Sequence, residues 1–418
     1  MSWTVDSLTY PTRRKITIQV SELLDGFDNF PILVKLTSSN FNFEHSNSDG
    51  FDIRFTSSDG TTLLKYERLR HDSANSLAEY WVKIPTISSS VDTEFYIYFR
   101  TDDTANGEDK TNVWDSGFEA VWHLNGSYNG TSSEVLDSTG NTNHGTAGSA
   151  PTQVAGKISK AQDFNGVDTT GNYISFPSIA CLNATGEFTV ELILSTDGNG
   201  GKYRTVYSTG DYFLLRNPND SDALEHYNFT TKNPDINAVD VSTGTWYHIA
   251  FTWRYDVDSG EAFLYQNGVA KDSTTDDTFG SAIGTALYFG LSTAHTNRYW
   301  DGKMEEIRVS NVARSEEWLN ATYKACYDLL NTYGAMEGYP AFSSSLTDTI
   351  TVVETFILNA TIILTDAISF VDSLIKRKIL DWANKIKNIT TWGNKTKNTT
   401  TFSNKTKRTT TWSNKPKS

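Results

Sequence analysis

Cysteine, proline and methionine are scarce in this chain: two, nine and three of 418 residues. Two cysteines, Cys181 and Cys326, are too few for a disulfide framework. They neither establish nor exclude a single bridge, and two buried thiols is the usual state of such a pair. The low proline and methionine content, with 13% aromatic and 21% charged residues, suits globular β structure better than a disordered chain. A long apolar run is missing too. The best candidate, 351–375, is broken by Glu354, Asp366 and Asp372, which excludes a membrane span. At the N-terminus, Met1-Ser2-Trp3-Thr4-Val5-Asp6 has no basic segment leading into an apolar core, so no secretory signal is expected. Also absent are a metalloprotease helix motif, a phosphate-binding loop and a serine nucleophile elbow.

The charge is uneven. The formal total is −14, yet from Lys376 onward twelve lysines and arginines face one acid, Asp381. An acidic body therefore carries a basic tail. The body repels nucleic acid and anionic membranes through its bulk charge, so neither is an expected partner.

What the chain does contain is a succession of short segments rich in β-branched and aromatic residues, separated by Gly, Asn and Asp turns. That pattern predicts an all-β protein. In the middle third the segments are Val121-Trp122-His123-Leu124, Tyr173-Ile174-Ser175-Phe176, Phe188-Thr189-Val190-Glu191, Trp246 to Trp253, Leu264-Tyr265-Gln266-Asn267-Gly268 and Trp300 to Val309. Asn267-Gly268 is a type I′ hairpin signal, since both turn positions need positive φ. Taken in order, with Asp137-Ser138-Thr139-Gly140-Asn141 and Phe164-Asn165-Gly166 between them, these segments resemble the laminin-G-like jelly rolls of the concanavalin A-like lectin/glucanase superfamily.

Earlier in the chain, Arg13 to Ile18, Phe30 to Leu36, Phe51-Asp52-Ile53-Arg54-Phe55 with the turn Ser58-Asp59-Gly60, Tyr80 to Pro85 and Glu94 to Phe99 read as half-buried strands of a small β-sandwich. This set resembles the domain of unknown function 2341, which carries no known chemistry. The expected organisation is a β domain over 1–103, a jelly roll over 114–330, and two separately folding units in consequence. A short helix is expected within 315–330.

Two repeats follow. One of period eighteen, in the segment 341–380, aligns Leu346-Thr347-Asp348-Thr349-Ile350 with Leu364-Thr365-Asp366-Ala367-Ile368. Its secondary structure stays open between helix and strand. The other, in 381–418, has period ten and sets Trp382, Trp392, Phe402 and Trp412 each two residues before Asn384, Asn394, Asn404 and Asn414. Three readings of this repetitive stalk or tail stand: a disordered basic tail, a nucleic-acid contact, or an oligomerising segment. The strict period favours a homo-oligomer.

Catalysis has little support. The resemblance implies that a glucanase of this superfamily would show Glu, an aliphatic residue, Asp, two further residues and Glu, and nothing matches. Glu305 and Glu306 are adjacent, so on a regular strand they point to opposite faces, as turn and sheet-surface groups. The resemblance also implies a possible calcium at the sandwich rim, held by Asp168, Asn172, Asp301 and Glu305. For a sugar, the candidates are aromatic and imidazole groups in or beside loops: Tyr212, Tyr227, His295, Tyr299 and Trp300.

The reading is a non-enzymatic binding or display protein, placed on a virion or an extracellular surface. Its jelly roll would contact a cell-surface glycan or host surface, as in a viral fibre. A secreted or cell-surface adhesin and a divergent glycoside hydrolase are the alternatives.

Overall fold

A computed structural model describes residues 2–102, 105–114, 117–182, 186–198, 201–209, 212–216, 223–228, 236–256, 259–277, 286–292 and 297–338. His295, the side chains of Tyr212 and Tyr227, and both C-terminal repeats lie outside the described residues.

The all-β expectation holds, and the jelly roll is a pair of antiparallel sheets. One runs in the order Thr152–Ala155, Lys160–Asn165, Asp301–Ser310, Phe188–Thr196, Trp246–Asp256, Ser259–Gln266 and Val269–Asp277, with Phe118–Trp122 also pairing to Asp301–Ser310. The other has seven strands, from Thr146–Ser149 at one edge to Ile236–Asp240 at the other. Trp122, Phe164, Leu192, Phe251, Trp253, Phe289 and Trp300 fill the space between them. Asn267 and Gly268 have φ of 53° and 71° and join Gln266 to Val269, as the dipeptide predicts.

Besides a small two-stranded sheet, Trp3–Val5 with Leu8–Tyr10, the N-terminal strands make two larger ones. One pairs Phe27–Thr37, Leu77–Ile87 and Tyr66–Asp72. The other runs Asn331–Glu337, Thr12–Ile18, Thr93–Phe99 and Arg54–Ser57, so its edge strand comes from beyond the jelly roll. Pro31, which has no N–H to give a ladder, sits on the edge strand Phe27–Thr37.

The two strand sets are not separate bodies. Residues 1–340 form one compact unit. A single core cluster holds Ile32, Leu33, Trp81 and Phe95 together with Val121, Ile193, Ala250 and Trp318. Cross-strand partners share a face, so the pairs Leu33 with Trp81 and Trp81 with Glu67 put these three on one side of the three-stranded sheet. That side meets the eight-stranded sheet, and the other packs Tyr80 on Phe55. Four sheets are thus stacked, and the central strands of the inner two are buried on both faces. The expectation of half-buried strands fails at Phe30 to Val34, every residue of which is buried, and the jelly-roll strand Phe188–Thr196 is buried throughout as well. Doubly buried strands read as near-continuous apolar runs.

The helix runs Glu316–Cys326. Ser315 caps it, Oγ accepting from the Trp318 N–H at 3.3 Å, and Glu316 and Glu317 oppose the helix dipole in the first turn. Trp318 packs edge-on to Phe27 and Phe30, with ring centroids 5.6 and 4.6 Å away, so the helix clamps the N-terminal sheet to the jelly roll. No helix among the described residues is long and apolar enough to cross a membrane. Cys181 and Cys326 are not joined in a disulfide.

Candidate functional site

The densest polar cluster lies between the two inner sheets. His123 donates from both ring nitrogens, Nδ1 to Glu306 Oε1 at 2.8 Å and Nε2 to Glu67 Oε2 at 3.0 Å. Glu67 also accepts from Trp114 Nε1 at 3.0 Å and Ser138 Oγ at 2.6 Å. Beyond Glu306, Arg308 lies 3.3 Å from its carboxylate and 3.9 Å from Glu191, which takes a 3.0 Å hydrogen bond from His248 Nε2. The Arg308 guanidinium lies 4.4 Å from the Trp81 ring and 5.0 Å from that of Trp114, a cation–π sandwich.

Burial alone would neutralise these groups, and their neighbours prevent it. Burial pulls His123 down, but the Glu306 and Glu67 charges prevail and carry it up to about 10. Burial pushes Glu67 up, yet the His123 charge and the bonds from His123, Ser138 and Trp114 leave it below the usual carboxylate range. Glu191 is lowered likewise, against burial, by the His248 hydrogen bond and the Arg308 charge.

The expectation that Glu305 and Glu306 point to opposite faces is wrong. Opposite Leu192 the strand Asp301–Ser310 carries an extra residue, and Glu306 has φ 53°. This β-bulge breaks the alternation. Both carboxylates therefore turn toward the N-terminal sheets, at 1% and 3% exposure, and neither is a turn or surface group. Glu305 accepts the N–H groups of Lys157 at 2.5 Å and Ile158 at 3.2 Å. Gly156 permits that embrace, since a Cβ there would lie 2.3 Å from Glu305 Oε2. Burial first, and then the Glu306 charge, raise Glu305 to about 8, so it is largely protonated at neutral pH. The cluster has the residues of an acid–base site, all of them buried. It holds layers together.

The accessible candidate is the loop end of the jelly roll. Tyr203 and Tyr299 are half-buried there, Arg298 stacks 4.4 Å over the Tyr203 ring, and Thr205 bridges to Tyr299. Charged groups surround them: Lys202 pairs with Asp168, Lys303 with Asp197 at 2.7 Å, and Arg204 approaches Asp168 at 3.7 Å and Asp301 at 3.8 Å. Burial raises Asp301, against the Arg204 charge. A second hollow, of about 680 Å³, is lined in the N-terminal sheets by Arg14, Phe41, Asn42, Glu44, Ser73 and Met336, among others.

Of the sugar candidates, Tyr299 is at the rim. Trp300 is not: at 0% exposure it belongs to the core, because alternation along the strand entry turns it inward where Tyr299 turns out. Tyr212 and Tyr227 sit on paired strands, opposite Asn228 and Phe213. Tyr203 and Arg204 escaped the sequence reading, as did the partners of His123, since no local pattern links Glu67 to residues 56 and more positions away.

The four calcium candidates do not form one ligand set. Asp168 and Asp301 face Arg204. Asn172 Oδ1 accepts the Asn165 N–H at 3.0 Å while Nδ2 donates to Ser149 and Ala150 carbonyls, so its amide is spent on the loop. Glu305 is buried against Lys157 and Ile158. Among the described residues no three His, Cys, Asp or Glu are grouped to hold a metal ion.

Comparison with known proteins agrees with both resemblances. Residues 168–320 match the concanavalin A-like lectin/glucanases superfamily, and residues 49–138 match the domain of unknown function 2341. No curated protein matches the chain. Among solved structures, domain 4 of AbnA, a GH43 extracellular arabinanase from Geobacillus stearothermophilus in complex with arabinotriose, is 21% identical. That match covers 49% of this chain and 96% of the other, with a TM-score of 0.37. The binding domain of Paraclostridial Mosquitocidal Protein 1 is 15% identical, covering 50% and 52% at a TM-score of 0.39. Trypanosoma rangeli sialidase is 11% identical, covering 57% and 42% at 0.39. Similarities this distant carry no argument about ligand or activity.

Proposed function

From a chain that joins a domain of unknown function 2341 to a concanavalin A-like jelly roll, we propose a non-enzymatic binding and display protein that takes a cell-surface glycan at the loop end of the jelly roll. The observation that carries this reading is the pairing of two half-exposed tyrosines, Tyr203 and Tyr299, with charged side chains around them. A flat ring stacks on the apolar face of a pyranose, while carboxylates and ammonium groups meet its hydroxyls. Burial of Glu305 and Glu306 supports the non-enzymatic part, since the adjacent acids on the most catalysis-like strand cannot reach a glycosidic bond.

Carriage on a viral fibre or another extracellular surface, with copies joined through the repeats after residue 341, completes the proposal. Titration of the full chain on immobilised cell-envelope glycans tests the binding. Tyr299→Ala should weaken it about tenfold, the value of one lost stacking contact. Equal binding by Tyr299→Ala and Tyr203→Ala would remove the rim from the account, and release of reducing sugar would restore the hydrolase reading. Light scattering should find the full chain oligomeric and a chain ending at Gly338 monomeric; two monomers would refute the joining role.

A further inference from the structure

Four oxygen sources converge at the rim on one cation, and that cation belongs to the protein. The Arg204 side chain is 7% exposed. Its Nη1 donates to the Gly166 carbonyl and to the Tyr299 carbonyl at 3.3 Å. The same Nη1 is 3.7 Å from Asp168 Oδ1, and Nη2 is 3.8 Å from Asp301 Oδ2. Two carboxylates and two backbone carbonyls are the donors a hard divalent ion takes. A guanidinium, with five N–H donors and a charge that persists at any working pH, can satisfy the same oxygens. The backbone is shaped for this closeness: Gly166 has φ 57°, and a Cβ on it would lie 2.5 Å from Asp301 Cβ.

We propose that Arg204 is a built-in replacement for a bound metal, tying the Gly166–Asp168 loop to the Tyr299–Asp301 segment so that the jelly-roll rim is ordered without calcium. The role is structural, and it stands whatever ligand the rim binds. It also accounts for Asn172 and Glu305 being committed elsewhere, because a shell closed by a side chain needs no further ligands.

The test is thermal unfolding of the full chain in excess chelator and in millimolar calcium chloride. The native chain should melt at the same temperature in both. Arg204→Ser removes the one cation that reaches all four oxygens and leaves Lys202 on Asp168 alone, so it should melt several degrees lower in chelator and recover part of the loss in calcium. A native chain that calcium stabilises, with the gain abolished by Asp168→Asn, would overturn the proposal. So would an Arg204→Ser chain as stable as the native one in chelator. Should Arg204→Ser fail to fold, Arg204→Lys keeps the charge: melting that ignores calcium supports the proposal, and melting that depends on it refutes the proposal.

Discussion

Glu306 stands in a left-handed backbone conformation that a glutamate seldom adopts. The strain is held by what the bulge permits, two adjacent carboxylates on one buried face, one tied to His123 and Arg308 and the other to backbone amides. The titration of Glu305 and of His123 should govern alkaline stability. Glu305 is raised from 4.5 to about 8 and His123 from 6.5 to about 10, so the folded state holds a proton that the unfolded chain has lost. Stability from each is full below its unfolded value and disappears as pH rises through its folded one: 4.5 to 8 for Glu305, 6.5 to 10 for His123. Denaturant titrations should show stability falling from about pH 6.5 to 10, because below 6.5 the buried His71 and His226, lowered to about 4 and about 3, act in the opposite sense to Glu305. Glu305→Gln keeps an acceptor for Lys157 and Ile158 and should flatten the curve below pH 8; an unchanged slope would show that Glu305 ionises normally. At acid pH the sign reverses for His226, which burial lowers to about 3: its contribution is present above 6.5 and lost as pH falls through 3. His123→Phe strands Glu67 and Glu306 without their shared cation and should cost about 3–5 kcal/mol. Adding Glu67→Gln to it should recover part of that loss, because the two positions are coupled; additive losses in a double-mutant cycle would deny the coupling.

At the scale of elements, the strand Asn331–Glu337 is the seam of the molecule. It pairs with Thr12–Ile18 from Asn331 opposite Ile18 to Glu337 opposite Arg13, and Arg13 Nε donates to Glu337 at 2.8 Å. Asn331 Nδ2 reaches the Leu33 carbonyl and the Tyr333 hydroxyl the Lys35 carbonyl, so side chains fasten it as well as the ladder. A chain ending at Leu330 should therefore lose hydrogen-exchange protection over Thr12–Ile18 while Phe188–Thr196 keeps its own. Equal protection in both chains would make the strand an ornament of the sheet. The helix that precedes the strand sets its entry, and Ser315→Ala should cost about 1 kcal/mol through the lost cap.

For the molecule as a whole, a shared core implies shared unfolding. Trp81, Trp114, Ile193 and Trp318 belong to one cluster, and the ionic chain from Glu67 to His248 crosses it. The expectation of a β domain and a jelly roll that separate is better replaced by one cooperative body over residues 2–338, since neither inner sheet face can be bared to water without exposing charges and tryptophans together. Calorimetry should show a single transition for this body, matched by tryptophan fluorescence; two resolved transitions would return the chain to independent domains.

The all-β class, the order of the two families, the Asn267-Gly268 hairpin and the helix after residue 315 are properties of short windows, and so they were legible in the sequence. Turn chemistry and alternation act over a few neighbours, and the residues that obey them lie side by side in the chain. Tyr299 was a candidate because it stands beside a loop, while Asp168 and Asp301 were candidates only through what the family resemblance implies. Trp300 was offered beside Tyr299 wrongly, since which of two adjacent aromatics turns inward depends on register. Tertiary structure decided the rest. A bulge, invisible in Glu305-Glu306, put both acids on one face. Arg204 came to the aspartates across a strand pairing, and Asn331–Glu337 returned across more than 300 residues to close a sheet begun at Thr12. Charges become partners only where folding removes the water between them, and that distance is not written in any window of the chain.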